Sequence, residues 1–458
     1  MESALWSAPV CVAIGWLDAE RDGEKRVGTE GTGVEETGQA TAKRVSAYRW
    51  VVLVAFMAVN LTIQVLWISY APITSVASDY YGVSEVAIGA LAMSFMVAYL
   101  PLSLPASSAI AHHGFRRAVG FGALLAGVAG VARGLAGPHY VPVLVATVGA
   151  AVAQPFLLNA WTTLSSHWFP RSQRATAVSL VTLANLVGAG VGLALTPQLE
   201  KSMSVARLQL GYGAAALAAG VVFVIVARDR PAMPPDDVAA TEDDSAELVG
   251  VRHALHVRPF VMFLVVAFVG MGVFNGISTW VEEIVRPRGF SSSDAGNLGA
   301  LLLLGGLLGA VVLSVLSDRA QRRVPFLTLA LGVSAPALLS LALVESHAAL
   351  FGSAFVLGFF LTSAMPIGMQ YSAEITVPTP EGTTNGLIQL AGQASVVFVL
   401  LMELTRAPSG SFTPSLTVLA VLLLAGAFVV RRLPEPKHHL ALRDALASAG
   451  DREQDGVS

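Results

Sequence analysis

The chain has 458 residues, of which 54% are hydrophobic and 13% charged, and its formal net charge is −3. A soluble domain carries roughly 25% charged residues, so this balance excludes an ordinary soluble fold, and the near-neutral charge without a basic stripe excludes a nucleic-acid partner. The single cysteine, Cys11, excludes an internal disulfide and a zinc or iron–sulfur centre, so neither a metal nor a cofactor is expected.

Residues 1–45 read as a disordered cytoplasmic tail. Ala4 to Leu17 is apolar but short, and no basic residues precede it as they would in a signal peptide. From Tyr48 to Arg432 the sequence is a succession of apolar stretches separated by short loops. Each is about 20 residues or more, the length needed to cross the hydrocarbon of a bilayer. Inside lipid the backbone must satisfy its own hydrogen bonds, so these stretches are expected to be helices. The first six fall at residues 49–76, 84–111, 115–136, 139–165, 172–198 and 205–228. The second six fall at 258–285, 293–317, 324–344, 348–375, 382–405 and 412–431. Between them, residues 229–257 hold Pro231, Pro234, Pro235 and an acidic run, the composition of a solvated linker. Residues 433–458 form a second tail.

Basic residues collect on one side. Lys43, Arg44, Arg116, Arg117, Arg171, Arg174, Arg228, Arg319, Arg322 and Arg431 all fall there, against about six on the other. The bias places both termini and the linker in the cytoplasm of a multi-pass protein of the cell membrane.

The two halves repeat. Shifting by about 208 residues carries the turn Phe169-Pro170-Arg171 onto Val377-Pro378-Thr379, Asn185 onto Gln393 and Trp67 onto Asn275. Two six-helix bundles (residues 46–228 and 258–432) in the same orientation imply a pseudo-twofold axis along the membrane normal, with a site between the bundles. The expected fold is an all-α membrane protein of twelve transmembrane helices in two pseudo-symmetric bundles.

The interior is polar but uncharged. Gln64, Trp67 and Tyr70 lie about a turn apart on helix 1. Tyr99 lies on helix 2, Gln154, Asn159 and Trp161 on helix 4, Asn185 on helix 5, Asn275 on helix 7, and Gln389 and Gln393 one turn apart on helix 11. An indole face attracts a desolvated cation by roughly 2 kcal/mol, whereas a phosphate or carboxylate ligand would call for arginine. We therefore take Gln64, Trp67, Tyr99, Gln154, Asn275, Gln389 and Gln393 as candidate substrate contacts, against the bland alternative that such residues only anchor or join helices. In the loop between helices 8 and 9, Asp318-Arg319 followed by Arg322-Arg323 resembles the loop signature of the major facilitator superfamily, which implies Asp318, Arg319 and Arg322 as candidate gating residues, against the alternative that these arginines only set topology. The matching first-half loop, Ala111-His112-His113-Gly114-Phe115-Arg116, lacks the acidic member, so the latch is expected in one half only.

Several segments resemble the major facilitator superfamily and, within it, the feline leukaemia virus subgroup C receptor-related family. They include Trp67-Ile68-Ser69-Tyr70, Asp79-Tyr80-Tyr81-Gly82-Val83, Ala153-Gln154-Pro155-Phe156 and Ala373-Glu374-Ile375-Thr376-Val377-Pro378, followed by Glu381-Gly382-Thr383-Thr384-Asn385-Gly386. The resemblance implies transport of choline and similar small amines, with haem also proposed for some members. It further implies a quaternary ammonium held between a helix 1 tryptophan and a helix 7 aromatic, flanked by glutamines. Trp67, Gln154 and Gln393 match those positions. Asn275 stands where the helix 7 aromatic is expected.

The functional expectation is a transporter of a small organic cation or zwitterion working by alternating access. It is expected to be an uncoupled facilitator, since no carboxylate lies mid-helix. An exporter of lipophilic compounds or haem, and a membrane sensor without transport, are the alternatives. No nucleophile–base pair within the helices points to an enzyme. The expected partners are a small-molecule substrate and the lipid bilayer, and the expected unit is a monomer.

Overall fold

The computed structural model describes residues 47–231 and 244–436. The two tails and the middle of the linker lie outside the described residues, as do the expectations placed on them. Among the described residues twelve helices are long and apolar enough to cross a membrane. In the first half they are α1 (Tyr48–Tyr81), α2 (Glu85–His113), α3 (Phe115–Leu135), α4 (Tyr140–Trp168), α5 (Arg171–Glu200) and α6 (Val205–Val226). In the second half they are α7 (Arg258–Thr279), α8 (Ser292–Ala320), α9 (Val324–Leu343), α10 (His347–Ile375), α11 (Glu381–Leu404) and α12 (Thr413–Arg431). A further helix, Asp244–His256, precedes α7, and the Thr379 hydroxyl donates to its Gly250 carbonyl at 3.4 Å. We call the membrane face near Tyr48 and Arg431 the terminal face and the opposite one the far face.

Each half has its own apolar core. One core is built wholly from first-half residues, among them Phe56, Phe115, Leu157 and Phe223. The other is built mainly from the second half, around Phe260, Leu327, Leu357 and Leu419, and takes in Ile68, Met93, Met96, Ala189 and Leu193 from the first half. Lipid tails are as apolar as leucine, so close backbone contact rather than the hydrophobic effect must hold the helices together. Glycine permits that contact. Gly213 of α6 lies directly against the Gly130 carbonyl of α3, and Gly358 of α10 against the Leu302 carbonyl of α8, with no room for a methyl at either. The halves meet in the same way where Gly296 of α8 packs on Leu193 and Pro197 of α5.

Several helices are interrupted for local reasons. α1 breaks after Ile68 and resumes through a short 3-10 turn at Ala71–Ile73, because Pro72 has no amide hydrogen to continue the ladder. α4 holds Pro155 and breaks at Asn159–Ala160. α11 breaks at Ser395, whose hydroxyl bonds back to the Gly392 carbonyl at 2.6 Å and competes with the helix.

The α1 break explains the buried arginine in the far third of α3. Arg133 of α3 is completely buried. Its guanidinium donates to the Leu66 carbonyl and the Ser69 hydroxyl, each at 2.8 Å, and to Gln209 Oε1, and it lies 4.7 Å from the centre of the Tyr70 ring. It thus sits at the negative end of the first α1 segment, where a cation is stabilised, and ties α1, α3 and α6 together.

At the terminal face an acid from just beyond the last helix of each half caps an early helix of that half. Asp229, just beyond α6, accepts the Arg116 amide at 2.8 Å and caps the start of α3. It lies against Gly114, which holds φ +86. Glu435, just beyond α12, accepts the Arg323 and Val324 amides at 3.0 and 3.1 Å and caps α9. Asp229 is thus the counterpart of Glu435, and the first-half loop has no counterpart of the Asp318 pair with Arg323.

Two outcomes follow from these packing arguments. Replacing Arg133 by Gln removes charged hydrogen bonds to buried acceptors and should cost about 2–3 kcal/mol, read as a lowered unfolding temperature of the purified protein. Changing the exposed Arg207 to Gln should move it by less than about 0.5 kcal/mol. Gly213→Leu should prevent α3 and α6 from closing and abolish recovery of monodisperse protein on size exclusion.

Candidate functional site

The candidate contacts occupy one layer of the membrane. The Tyr48 and Trp168 rings are 6.2 Å apart, which sets a common level for the terminal-face ends of α1 and α4. With a rise of about 1.5 Å per residue, Gln64, Trp67, Tyr99, Gln154, Asn275 and Gln393 lie about 18–28 Å along their helices from the terminal-face ends, and Gln389 about 12 Å. In α1, α2, α4, α5, α7, α10 and α11, every Asp, Glu, Lys, Arg and His lies within a few residues of a helix end. The layer between is neutral.

Much of its polarity is used to join helices. Gln64 Nε2 donates to Asn185 Oδ1 at 2.7 Å, linking α1 to α5. Asn60, one turn before Gln64, accepts Trp161 Nε1 at 3.0 Å. The Tyr99 hydroxyl donates to Asn159 Oδ1 at 2.6 Å, and Asn159 Nδ2 in turn donates to the Ser103 carbonyl at 2.9 Å and the Ser107 hydroxyl at 3.0 Å, linking α2 to α4. Asn275 is buried, and its Nδ2 donates to the Gly392 carbonyl at 3.2 Å and the Ser395 hydroxyl at 3.0 Å. It holds the α11 break against α7. Among the described residues no hydrogen bond joins any two of the seven candidates.

Two of the seven stand apart. Trp67 packs against both apolar cores, and its indole Nε1 is buried without a hydrogen-bond partner. Gln154 is 3% exposed, and its Oε1 is likewise unpartnered. Buried polar atoms are nearly always paired, so an orphaned donor and an orphaned acceptor in one neutral layer call for a partner. Gln389 and Gln393 are half-buried on α11. Tyr70 does not share their face: the α1 break turns it to Tyr81, hydroxyl to hydroxyl at 2.8 Å.

The halves are pinned together at the far face. Glu282 accepts the Ser75 amide at 2.9 Å, the Ser75 hydroxyl, and the Ser292 hydroxyl at 2.8 Å. Glu85, at the start of α2, pairs with Arg286 and, at 2.9 Å, with Arg406. Arg406 also pairs with the fully buried Glu283 at 2.8 Å. Beneath them Trp280 is completely buried, donates to the Val399 carbonyl at 3.0 Å and packs on Gly89 of α2. The sequence placed Glu282 and Glu283 near this surface but carried no sign of their partners, since Glu85 and Arg406 are 321 residues apart in the chain.

At the terminal face the expected gating set is rearranged. Asp318 pairs with Arg323, which is itself buried and also bonds Glu374 of α10 at 3.1 Å. Arg319 and Arg322 are exposed, and neither makes this pair. Asp318 ends α8 on the exposed side, and the chain turns at Gln321 in the left-handed region, φ 51, which brings Arg323 rather than the nearer arginines back under it.

Comparisons with known proteins agree with this architecture. Residues 50–291 and 282–448 match the family model of the Major Facilitator Superfamily. The chain is 30% identical over 383 residues to "Uncharacterized protein B0416.5" of Caenorhabditis elegans, covering 81% of this chain and 75% of the relative. It is 27% identical over 406 residues to the human choline/ethanolamine transporter FLVCR2, covering 84% and 77%. A bacterial homologue of the human lysosomal transporter Spinster, solved in an inward-facing and unoccupied conformation, superposes with a TM-score of 0.68 at 14% identity, over 84% of this chain and 97% of that one. A paired bundle of twelve membrane helices and a family match over most of the sequence lead to one conclusion: this chain belongs to the Major Facilitator Superfamily and is a membrane transporter.

Proposed function

We propose that this protein carries a small organic cation or zwitterion of the choline type by alternating access, as an uncoupled facilitator. The terminal face is taken as cytoplasmic and the far face as the outside of the cell membrane. The observation that carries the reading is the pair of orphaned groups, Trp67 Nε1 and Gln154 Oε1, in a neutral layer where Trp67 touches both cores. A quaternary ammonium would rest on the Trp67 ring, and the Gln154 carbonyl oxygen would accept from a hydroxyl or amine. The relatives named as choline/ethanolamine transporters support the substrate class. The excess of basic residues at the terminal face supports the orientation.

Asn275 takes a different part from the aromatic it replaces. Its amide is committed to Gly392 and Ser395. We propose that it steadies the α11 break below Gln393, so that the second half contributes polar groups from α11 rather than a ring from α7.

The test is binding to the purified protein of choline, ethanolamine and betaine, beside 3,3-dimethylbutanol, the uncharged carbon analogue of choline. Choline should bind at least about tenfold more tightly than the analogue, and Trp67→Ala should remove most of that preference, since 1.4 kcal/mol corresponds to tenfold. Equal affinity for the two would overturn the cation reading. Gln154→Leu should weaken choline more than betaine, which has no hydroxyl to donate. With the outer pH held fixed, uptake of choline into liposomes should be the same with and without a proton gradient set by the inner pH; uptake that needs the gradient would exclude a facilitator.

A further inference from the structure

The far-face cluster contains a carboxylate that the transport reading does not use. Glu283 lies on the short helix Val281–Val285 and has no exposed surface. Its Oε2 meets Arg406 at 2.8 Å, while its Oε1 lacks a hydrogen-bond partner among the described residues and has only Arg286 Nη1 at 3.5 Å. Facing it are Glu85 from the first half, Arg286 and Arg406, with Glu403 3.7 Å from Arg406 and Glu282 turned to Ser75 and Ser292. Three carboxylates, Glu85, Glu283 and Glu403, share the two guanidinium groups. The other elements packed there carry Asp79, Tyr80 and Tyr81 on the end of α1, Asp294 on α8 within 3.5 Å of His347, and Arg288, which bonds the Leu341 and Val344 carbonyls.

We propose that Glu283 is a proton-binding site built into the outer gate, and that its occupancy sets whether the gate is closed. The inference rests on the alternating-access reading above. In the closed gate a proton on Glu283 removes one of the uncompensated negative charges and supplies the donor that two facing carboxyls need. Opening the gate hydrates Glu283 and separates it from Glu85, so the proton leaves to the same side from which it came. Turnover then moves no proton across the membrane, which keeps gating compatible with an uncoupled facilitator.

The electrostatics fix the sign. Burial, and then the neighbouring Glu85 carboxyl, push Glu283 up to about 8, against the pull of Arg286 and Arg406. In an open, hydrated gate it would return to the ordinary glutamate range, near about 4.3. The closed state therefore binds the extra proton, and closing is favoured as the outer pH falls through about 8 toward that range. For one proton the closed-to-open ratio changes by up to roughly tenfold per pH unit.

The test uses the full chain in liposomes, with Cys11→Ser and spin labels at His139→Cys and Ala348→Cys. Both positions are exposed at the outer ends of the two halves. Distances between the labels report the gate. From pH 8 to pH 6 the short-distance population should rise severalfold. Glu283→Gln, which mimics the protonated side chain, should hold the low-pH distribution at both values. A wild-type distribution that ignores pH, or a Glu283→Gln protein that keeps the full response and so points to another group such as His347, would overturn the proposal. Unfolding temperature confirms that the variant is folded. Choline binding on the same samples separates the two ideas: lost binding with an intact pH response defeats only the substrate assignment.

Discussion

A helix that breaks inside lipid must find new partners for the backbone groups it frees, and in this protein that requirement organises both halves. α1 breaks after Ile68, and the buried Arg133 takes up the Leu66 carbonyl. α11 breaks at Ser395, and Asn275 takes up the Gly392 carbonyl. Each repair reaches across to another helix, so local irregularity becomes tertiary connection. It also commits polar side chains that sequence alone offers as substrate contacts.

The same logic separates polar groups with partners from those without. Gln64, Tyr99 and Asn275 have partners among the helices, and their bonds account for their burial. Trp67 and Gln154 retain buried polar atoms with none. Charge is kept at the two membrane faces. The far-face group joins the halves through Glu85, Glu282, Arg286 and Arg406. The terminal-face group, Asp318, Arg323 and Glu374, works within the second half. Ion pairs there are spared the full cost of the membrane interior and can be broken and remade near water.

The pseudo-twofold repeat extends further than residue identity reveals. Asp229 and Glu435 cap α3 and α9 in the same way, each from just beyond the last helix of its half. This cap is shared by both halves, whereas the pair of Asp318 with Arg323 belongs to the second half. By contrast, Trp67 and Asn275 occupy equivalent places with unlike roles, one a ring between two cores and the other a brace on α11.

Twelve membrane helices, their repeated order and the neutrality of their middle were legible in the sequence, because hydrophobic length and charge content are properties of a contiguous segment. Apart from the far-face ends of α1, which runs on to Tyr81, and of α7, which stops at Thr279 before a separate short helix, the helix ends fall within a few residues of where the apolar runs stop. Only the tertiary structure decided that Arg323 rather than Arg319 or Arg322 pairs with Asp318, since that depends on the left-handed turn at Gln321. Likewise it alone turned Tyr70 away from Gln64, bound Asn275 to α11 and brought Glu85 to Arg406. These pairings depend on where a helix breaks and how two bundles meet. Partners hundreds of residues apart leave no mark on the local pattern of a chain.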